Sequence, residues 1–286
     1  NADVVSDLLS SDGIKIRDLG CGISSFSFTK DVFFDNKFDS LSTKARGLFI
    51  ANKESPYFGR VIARSYPKFF NVYADKSWTD KNNDEFEFKD APLDSIKDKL
   101  QFPVKAYLKE NGFLGILSWD SINEKFFVSS KNYNSGDFAG YFESIITPKL
   151  SNELKNYLCT NNVSMIFEVV DMKNDGVHMI DYGKDTRFVV LLDIVHNDFT
   201  DSFESYEEVK SAGEKFGFIT KKEINTFTDW EQLKSFICGF EDVNNTGFEY
   251  DTKSTDGIEG FVFEDDSGYR FKYKTAFYRK WKNLRK

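Results

Sequence analysis

The chain has 286 residues, of which 40% are hydrophobic and 29% charged, so it can bury a full-sized core and is too apolar to be disordered. No apolar run approaches the roughly 18–20 residues of a membrane span, and the acidic N-terminus does not resemble a signal peptide, so we expect an intracellular protein that is neither secreted nor membrane-bound. The net charge of −8 argues against a simple nucleic-acid coat protein.

Cysteines and histidines are too few for several kinds of site. The three cysteines, Cys21, Cys159 and Cys238, are widely spaced, which argues against a disulfide framework and a zinc site. Two histidines make a Ser-His-Asp hydrolase or a multi-histidine metal centre hard to assemble. The chemistry must therefore depend on Lys, Glu, Asp or Arg.

Most predicted elements are short strands, because many segments of strand length are rich in β-branched or aromatic residues. In chain order these are Ala45–Ile50, Val61–Arg64, Val104–Leu108, Phe113–Trp119, Lys125–Ser129, Ser164–Val170, Phe188–Ile194, Gly260–Glu264 and Tyr269–Lys274. Asn111-Gly112 predicts a tight turn, and Asp266-Ser267-Gly268 predicts a hairpin between the last two strands. The polar segment Asp75–Asp90 predicts a surface loop.

Helical patterns are fewer than strand patterns. Asp137–Leu158 has helical spacing interrupted at Pro148, Ser205–Phe216 begins with a Ser-x-x-Glu cap, and Asp229–Phe240 is amphipathic. The sum predicts an α+β fold of mostly antiparallel sheets with flanking helices.

The C-terminal stretch Arg270–Lys286 carries eight Lys or Arg residues and no acid. Such a stripe on an acidic chain is typical either of a solvated helix or of a face that contacts a partner such as RNA. The sequence leaves both readings open.

Lys109 stands in a Lys-x-x-Gly tetrapeptide between two apolar runs, and other lysines and glutamates follow at intervals. A lysine amine that attacks a nucleotide α-phosphate must be neutral, which burial and nearby positive charge favour. Lys131, Lys272 and Lys274 could supply that charge. Glu259 offers the hard oxygen that a divalent cation prefers, and Glu168, on an apolar strand, suits a ribose hydroxyl. These residues predict an amine nucleophile for a nucleotide.

The order of these segments resembles the covalent nucleotidyltransferase superfamily and, within it, ATP-dependent RNA ligases. The nearest groups are the phage T4-type RNA ligases and the ligase module of fungal-type tRNA ligases. The segments that carry the resemblance are Ala45-Arg46-Gly47-Leu48, Pro67-Lys68-Phe69-Phe70-Asn71, Lys109-Glu110-Asn111-Gly112, Ser130-Lys131, Met165-Ile166-Phe167-Glu168, Val189–Ile194, Ile258-Glu259-Gly260-Phe261-Val262 and Phe271-Lys272-Tyr273-Lys274.

The resemblance implies an ATP-grasp-like nucleotidyltransferase core that uses ATP and Mg²⁺ or Mn²⁺. AMP would be carried covalently on Lys109, and Lys272 and Lys274 would complete the catalytic set. The implied nucleotide-binding residues are Arg46 and Lys68 for the β- and γ-phosphates, Lys131 with the two catalytic lysines for the α-phosphate, Leu108 near the adenine, Glu168 for the ribose, and Glu259, which would also bind the metal.

The resemblance further implies that RNA with 5′-phosphate and 3′-OH ends is joined in RNA repair or tRNA splicing. An end-healing kinase or phosphatase domain would belong to the same or a partner polypeptide. We expect residues 1–40 to form an extension packed on a nucleotidyltransferase domain at 41–286, with no separate C-terminal domain. Asn111 departs from the Asp that many family members carry there, which favours the tRNA-ligase-like branch.

Three alternatives remain at this stage. The first is a DNA ligase or capping guanylyltransferase of the same superfamily, but the upstream pattern of those enzymes differs from the Phe69-Phe70-Asn71 segment of this chain. A non-catalytic nucleotide- or RNA-binding module is opposed by the intact set of lysines and glutamates. A β-rich interaction protein would require every motif match to be accidental.

Overall fold

The computed structural model describes residues 2–74, 88–250 and 253–285. The chain divides into two compact units. The first comprises Asn1–Lys68, Phe113–Val169 and Arg187–Thr220, and the second comprises Phe69–Gly112, Val170–Thr186 and Lys221–Lys286. The fold class predicted from sequence, α+β with flanking helices, is confirmed.

The strands of the described residues are, in chain order, β1 (Ile14–Asp18), β2 (Ile23–Phe28), β3 (Leu48–Ala51), β4 (Val61–Arg64), β5 (Phe70–Tyr73), β6 (Ala91–Pro92), β7 (Val104–Lys109), β8 (Phe113–Asp120), β9 (Lys125–Ser129), β10 (Val163–Asp171), β11 (Arg187–His196), β12 (Ile219–Thr220), β13 (Glu223–Phe227), β14 (Gly260–Glu264) and β15 (Arg270–Lys274). The helices are α1 (Ala2–Ser10), α2 (Lys30–Phe34), α3 (Asp137–Ile146), α4 (Asn152–Asn161), α5 (Tyr206–Phe216), α6 (Trp230–Gly239) and α7 (Ala276–Leu284). Short 3₁₀ helices span Leu93–Lys99, Thr147–Lys149 and Phe248–Tyr250.

The first unit contains two sheets, one of order β1-β2-β3-β4 and one of order β12-β11-β10-β8-β9. Residues 1–40 contribute β1 and β2 to the first of these sheets, where Ser25 of β2 lies opposite Phe49 of β3. The five-stranded sheet packs its apolar side chains with those of α3, α4 and α5, and Phe142, Leu154 and Val209 of these helices are buried in that core. Burial of large apolar side chains of this kind stabilises each unit.

The second unit is built on one mixed sheet of order β13-β7-β14-β15-β5-β6. Phe261 and Phe263 of β14 pack in its core with Leu233 and Ile237 of α6. Much of the chain's phenylalanine content is used in such ring contacts; the rings of Phe263 and Phe271 stack with centroids 4.8 Å apart. This core supports the strands that carry the candidate site.

The helix start and stop signals in the sequence correspond to helix caps and a helix break in the structure. Ser205 caps α5 by accepting a hydrogen bond from the backbone N–H of Glu208, and Asp229 caps α6 in the same way. The predicted interruption at Pro148 is a 3₁₀ turn between α3 and α4. None of the described helices is long and apolar enough to cross a membrane.

The turn predictions had different outcomes. The Asp266–Gly268 hairpin is confirmed, because β14 and β15 pair antiparallel. The bend at Asn111-Gly112 is short, but it is not a hairpin turn: β7 and β8 belong to different sheets. Asn111 is buried and uses its side chain for tertiary hydrogen bonds, which explains a turn-like dipeptide outside a hairpin. Residues 75–87 of the predicted Asp75–Asp90 loop lie outside the described residues.

Candidate active site

In the second unit, Lys109, Gly260 and Lys274 form a row across three strands. Gly260 of β14 lies opposite Lys109 of β7 on one side and opposite Lys274 of β15 on the other. A side chain at Gly260 is excluded, because a Cβ atom there would lie 1.9 Å from the carbonyl oxygen of Tyr273. The pairing of three strands therefore brings together two lysines that are 165 residues apart in the sequence.

Glu259 is the shared partner of these two lysines. Its carboxylate is buried, and its Oε1 atom lies 3.1 Å from Lys109 Nζ and 3.4 Å from Lys274 Nζ. Burial acts to raise the pKa of Glu259, but the two ammonium groups and the Asn111 amide outweigh it and lower this pKa to about 2. The carboxylate is therefore ionised, and its two cationic partners offset the cost of burying its charge.

Asn111 fixes the other oxygen of Glu259. Its Nδ2 donates to Glu259 Oε2 and to the hydroxyl of Tyr278, at 3.2 Å. Its Oδ1 accepts from the backbone N–H groups of Met179 and Ile180 at 2.9 and 3.1 Å. Because Oδ1 faces two donors, the amide has only one orientation, and its NH₂ group must point toward Glu259.

We predict that Asn111→Asp destabilises the protein by about 2–4 kcal/mol at pH 7. The change keeps the acceptor for the two backbone N–H groups but turns the donor that faces Glu259 into a second carboxylate oxygen. Because repulsion raises the pKa of one of two adjacent carboxyls, the loss should shrink as pH falls and one of them takes up a proton. Urea unfolding at pH 7 and pH 5 measures both effects.

The exposed Asn225 provides the matched control, since Asn225→Asp should leave the free energy of unfolding nearly unchanged. Equal stability of Asn111→Asp and the parent at pH 7 would contradict the assigned donor role.

Lys272 and Leu108 lie in the same sheet as this row. Lys272 is two residues before Lys274 on β15, so both side chains leave the same face, and its ammonium lies 5.3 Å from the ring centroid of Phe69. The side chain of Leu108 is buried in the core, and its backbone N–H donates to the carbonyl of Lys222 at 2.9 Å. The role of the Leu108 backbone near adenine stays a prediction.

In the first unit, Arg46, Lys68 and Lys131 form a cationic group. Arg46 Nη1 donates to Ser65 Oγ at 3.4 Å. The neighbouring Gly47 has φ +64°, and a Cβ atom there would lie 2.6 Å from Ile116 Cδ1, so glycine is strongly favoured at this position. Burial and the charges of Arg46 and Lys68 lower the pKa of Lys131 to about 8. Glu168 also belongs to this unit, half-buried on β10 opposite Leu114.

Lys131 makes stability depend on pH in the alkaline range. Its pKa falls from 10.5 in the unfolded chain to about 8 in the fold, so the charged form costs stability below pH 8. The cost is relieved as pH rises from about 8 toward 10.5. We predict that Lys131→Met raises the free energy of unfolding at pH 7 and removes this alkaline gain. Denaturant unfolding from pH 7 to 10.5 tests it, with the exposed Lys125→Met as control; parallel curves for parent and Lys131→Met would contradict it.

Comparison with known families gives the context for both groups of residues. A family model described as RNA ligase matches residues 44–279. The chain belongs to the RNA ligase family. That match confirms the resemblance seen in the sequence, and it contains every residue that the sequence singled out as a site candidate.

Solved structures share the fold of this RNA ligase family member. A protein of Aquifex aeolicus, provisionally described as an ATP-dependent DNA ligase, has a TM-score of 0.62 and 15% identity, over 97% of this chain and 63% of that one. An archaeal ATP-dependent RNA ligase has a TM-score of 0.62 and 13% identity, over 97% and 62%. Naegleria gruberi RNA ligase with pyrophosphate has a TM-score of 0.50 and 15% identity, over 67% of this chain and 55% of that one.

The chain thus spans about three-fifths of the length of the first two structures. A search of curated protein sequences finds no significant match to this RNA ligase family member.

The site contains residues that sequence reasoning missed or undervalued. The sequence marks Asn111 only as a turn residue and as a departure from the family's Asp. Tyr182 was not noticed: its hydroxyl accepts from the Asn111 backbone N–H at 2.7 Å and donates to Glu110 Oε2 at 2.8 Å. Tyr278 lies within the basic stretch Arg270–Lys286, where no sequence feature distinguishes it. No periodicity or motif marks either tyrosine, because both contact Asn111 from segments that are remote from it in sequence.

The described residues offer only some of the ligands that a metal ion needs. Among the described residues, no group of three or more His, Cys, Asp or Glu side chains is arranged to hold a metal ion. Glu259 offers carboxylate oxygens, but both already contact Lys109, Lys274 or Asn111. This fits Mg²⁺, which commonly uses one or two carboxylates and takes its other ligands from substrate phosphates and water.

Proposed function

We propose that this RNA ligase family member is an ATP-dependent RNA ligase that joins 5′-phosphate and 3′-OH ends. One observation carries the proposal: the amine of Lys109 and that of Lys274 share the buried carboxylate of Glu259. The carboxylate holds the Lys109 amine in place, while the second cation beside it favours loss of the Lys109 proton and suits a phosphate that gains charge in the transition state.

The first step of the proposed reaction transfers AMP to the protein. Lys109 Nζ, having lost its proton, bonds to the α-phosphorus of ATP as the bond to the bridging oxygen of pyrophosphate breaks. The in-line displacement needs cations around the α-phosphate, and Lys274 and Lys272 are the candidates on this sheet. Glu259 would hold the amine of Lys109 beside that of Lys274.

Two further displacements complete the reaction. A 5′-phosphate oxygen of RNA attacks the lysyl-bound phosphorus, breaking the N–P bond and forming an RNA-adenylate. The 3′-OH then attacks the 5′-phosphate, loses its proton and expels AMP. For Arg46, Lys68, Lys131 and Glu168 we propose the phosphate and ribose contacts that the resemblance implies.

Mg²⁺ or Mn²⁺ is the proposed metal, with Glu259 as the protein residue that would hold it. When bound, it would neutralise phosphate charge beside the lysines. A solved structure of the Naegleria gruberi RNA ligase contains ATP and Mn, which are ligands of that protein.

Intact mass of the purified chain, before and after incubation with Mg²⁺ and ATP, tests the proposal. We expect a gain of one AMP with ATP and none with GTP, since GTP labelling would indicate a capping guanylyltransferase. The adenylated protein is then offered RNA and DNA strands with the same ends. Sealing of DNA alone would overturn the RNA assignment, and no nucleotide adduct at all would indicate a binding module.

The proposed substrates need healed ends. A kinase or phosphatase in the same or in a partner polypeptide would supply the 5′-phosphate and 3′-OH, as RNA repair or tRNA splicing requires. An intracellular location agrees with the three cysteines, Cys21, Cys159 and Cys238, which are exposed free thiols.

The basic C-terminal helix α7 is a candidate RNA contact. Arg279 has a structural use, because its Nη2 lies 2.7 Å from Glu241 Oε1. Lys280, Lys282 and Arg285 are exposed. We predict that replacing these three by alanine weakens RNA binding and reduces the slope of log K against log salt by about 2.

Binding of single-stranded RNA measured at four or more salt concentrations gives that slope. The double variant of the exposed Lys97 and Lys99 is the control. An unchanged slope in the α7 variant would mean that the stripe is only a solvated helix.

A further inference from the structure

We propose that α2 carries a stacking platform for one unpaired base of the RNA substrate, beside Lys68, which would hold the adjoining RNA phosphate once pyrophosphate has left. The proposal rests on the proposed RNA-joining function and extends it to residues 28–38. The aromatic platform consists of Phe28, Phe33, Phe34 and Phe38, all in the first unit.

The outer face of the platform is open to solvent. Phe34 is 75% exposed and Phe33 is 51% exposed, the first being the most exposed large hydrophobic side chain of the described residues. Both lie at the end of α2, which Thr29 caps by accepting from the Val32 backbone N–H. An aromatic ring held in water on an ordered element offers a π face at little entropic cost.

The rings of the platform contact one another, and the innermost ring is buried. Phe38 is 2% exposed, and its ring meets that of Phe28 edge-on with centroids 5.1 Å apart. Phe28 and Phe33 stack with an interplanar angle of 12°, and Phe33 meets Phe34 edge-on at 5.3 Å. The four rings therefore form a continuous series of contacts from the core to the surface.

Cations lie against this ring cluster. Lys68 Nζ is 5.2 Å from the centroid of Phe38 and 5.9 Å from that of Phe33, and Lys131 Nζ is 4.4 Å from that of Phe28. Cations over aromatic faces are attracted by the ring quadrupole. Lys131 also lies close enough to Arg46 and Lys68 for their charges to depress its pKa, so positive charge is concentrated beside the rings.

The combination selects a nucleotide over an apolar partner. A hydrophobic protein surface that covered Phe33 and Phe34 would desolvate the charged groups of Lys68 and Lys131 and would offer them no anion of its own, which is costly. A nucleotide supplies both a base for the ring and a phosphate for the cations. The carboxylates nearest to the platform in sequence are Asp31, on α2 itself, Asp35, which pairs with Lys37 at 3.1 Å, and Asp39, whose Oδ1 accepts from the backbone N–H groups of Leu41 and Ser42.

Stacking variants of Phe34 test the proposal on the full chain. The probe is a 5′-phosphorylated single-stranded RNA of about 12 nucleotides. We expect Phe34→Ala to bind it roughly 5- to 30-fold more weakly, Phe34→Leu to bind about as weakly as Phe34→Ala, and Phe34→Tyr to bind like the parent. Phe58→Ala, which removes a 48% exposed ring elsewhere in the first unit, is the matched control and should not change binding.

Salt dependence separates stacking from charge. Plots of log K against log salt should be parallel for the parent and Phe34→Ala, because stacking releases no counterion, whereas Lys68→Ala should flatten the slope. Parallel plots with lower affinity support a base on Phe34. Full rescue of binding by Phe34→Leu would overturn it, since an aliphatic side chain would then serve as well and the contact would be a general apolar one.

Formation of the AMP adduct distinguishes this inference from the proposed function. Phe34→Ala should form lysyl-AMP from ATP with the parent's KM, because the platform is assigned to RNA. A raised KM for ATP with unchanged RNA affinity would overturn the inference by placing the ATP base on the ring. Unchanged RNA affinity together with normal adduct formation would overturn the inference alone, whereas absence of the adduct in the parent would overturn the proposed function and leave the RNA-binding comparison valid.

Discussion

Lys109→Ala should abolish the covalent AMP adduct while the protein remains folded. The amine of Lys109 is the atom assigned to bond to phosphorus, so its removal eliminates the reaction path and does not merely slow it. Glu259 keeps Lys274 and Asn111 as partners when Lys109 is lost, which limits the damage to stability. Intact mass and labelling with radioactive ATP measure the adduct, and circular dichroism and thermal unfolding measure the fold.

Two further variants sharpen this test. Lys109→Arg keeps a cation next to Glu259, yet it cannot provide a neutral amine because a guanidinium is not deprotonated in proteins. It should therefore fold as stably as the parent and form no adduct. Lys105→Ala removes a 43% exposed lysine on the same strand and should leave labelling intact. An adduct that persists in Lys109→Ala and disappears in Lys105→Ala would move the nucleophile to Lys105.

Glu259→Gln should lower the rate of adduct formation by roughly 100- to 1,000-fold. The substitution preserves size and the acceptor for Asn111, but it removes the charge that holds Lys109 and Lys274 in place. Two ammonium groups then face each other beside a neutral amide, which disturbs the position of Lys109. Single-turnover labelling at saturating ATP measures the rate, and the exposed Glu249→Gln is the control.

The same variant has a pH signature. Because the pKa of Glu259 is lowered from 4.5 to about 2 in the fold, its ionised form stabilises the protein above about pH 4.5, and this contribution is lost as pH falls toward 2. The parent should lose stability more steeply than Glu259→Gln over that window. Equal acid dependence of unfolding in the two proteins would contradict the ion pairs, and undiminished labelling would remove Glu259 from the mechanism.

The charge pattern of this site explains why the motif residues could be found without a structure. Nucleotidyl transfer needs an amine, further cations and a carboxylate, and each occurs in a short segment that follows or precedes an apolar strand. The order of those segments carried the family resemblance, which the match to residues 44–279 confirms. The individual roles of Arg46, Lys68, Leu108, Lys131, Glu168 and Glu259 remain proposals.

Several elements could not be read from the sequence for identifiable reasons. The strands β6 and β12 have only two residues each, so they show no periodicity. The turn signal at Asn111-Gly112 was misleading. Hairpins favour this dipeptide, but here the Asn111 side chain is buried and hydrogen-bonds to Glu259, Tyr278 and the backbone of Met179. Local preference was overridden by tertiary hydrogen bonds.

The N-terminal extension shows the same limit. Phe28, Phe33, Phe34 and Phe38 are ordinary apolar residues in the sequence, and nothing there indicates that two of them are exposed. Only the packing of α2 leaves Phe34 in solvent and brings Lys68 and Lys131 to the ring cluster. A candidate binding surface therefore emerged from a region to which the sequence assigned no role.

The sequence by itself determined the α+β class, the main strands and capped helices, the family and the identity of the charged residues, because these depend on local periodicity, capping and motif order. Tertiary structure alone decided that Lys109 and Lys274 share one buried carboxylate, that Asn111 orients it and that Tyr182 and Tyr278 support it. The reason is physical: strand pairing across β7, β14 and β15 sets which distant side chains meet, and burial sets the pKa of Glu259. Neither strand register nor burial is encoded in any single segment of the chain.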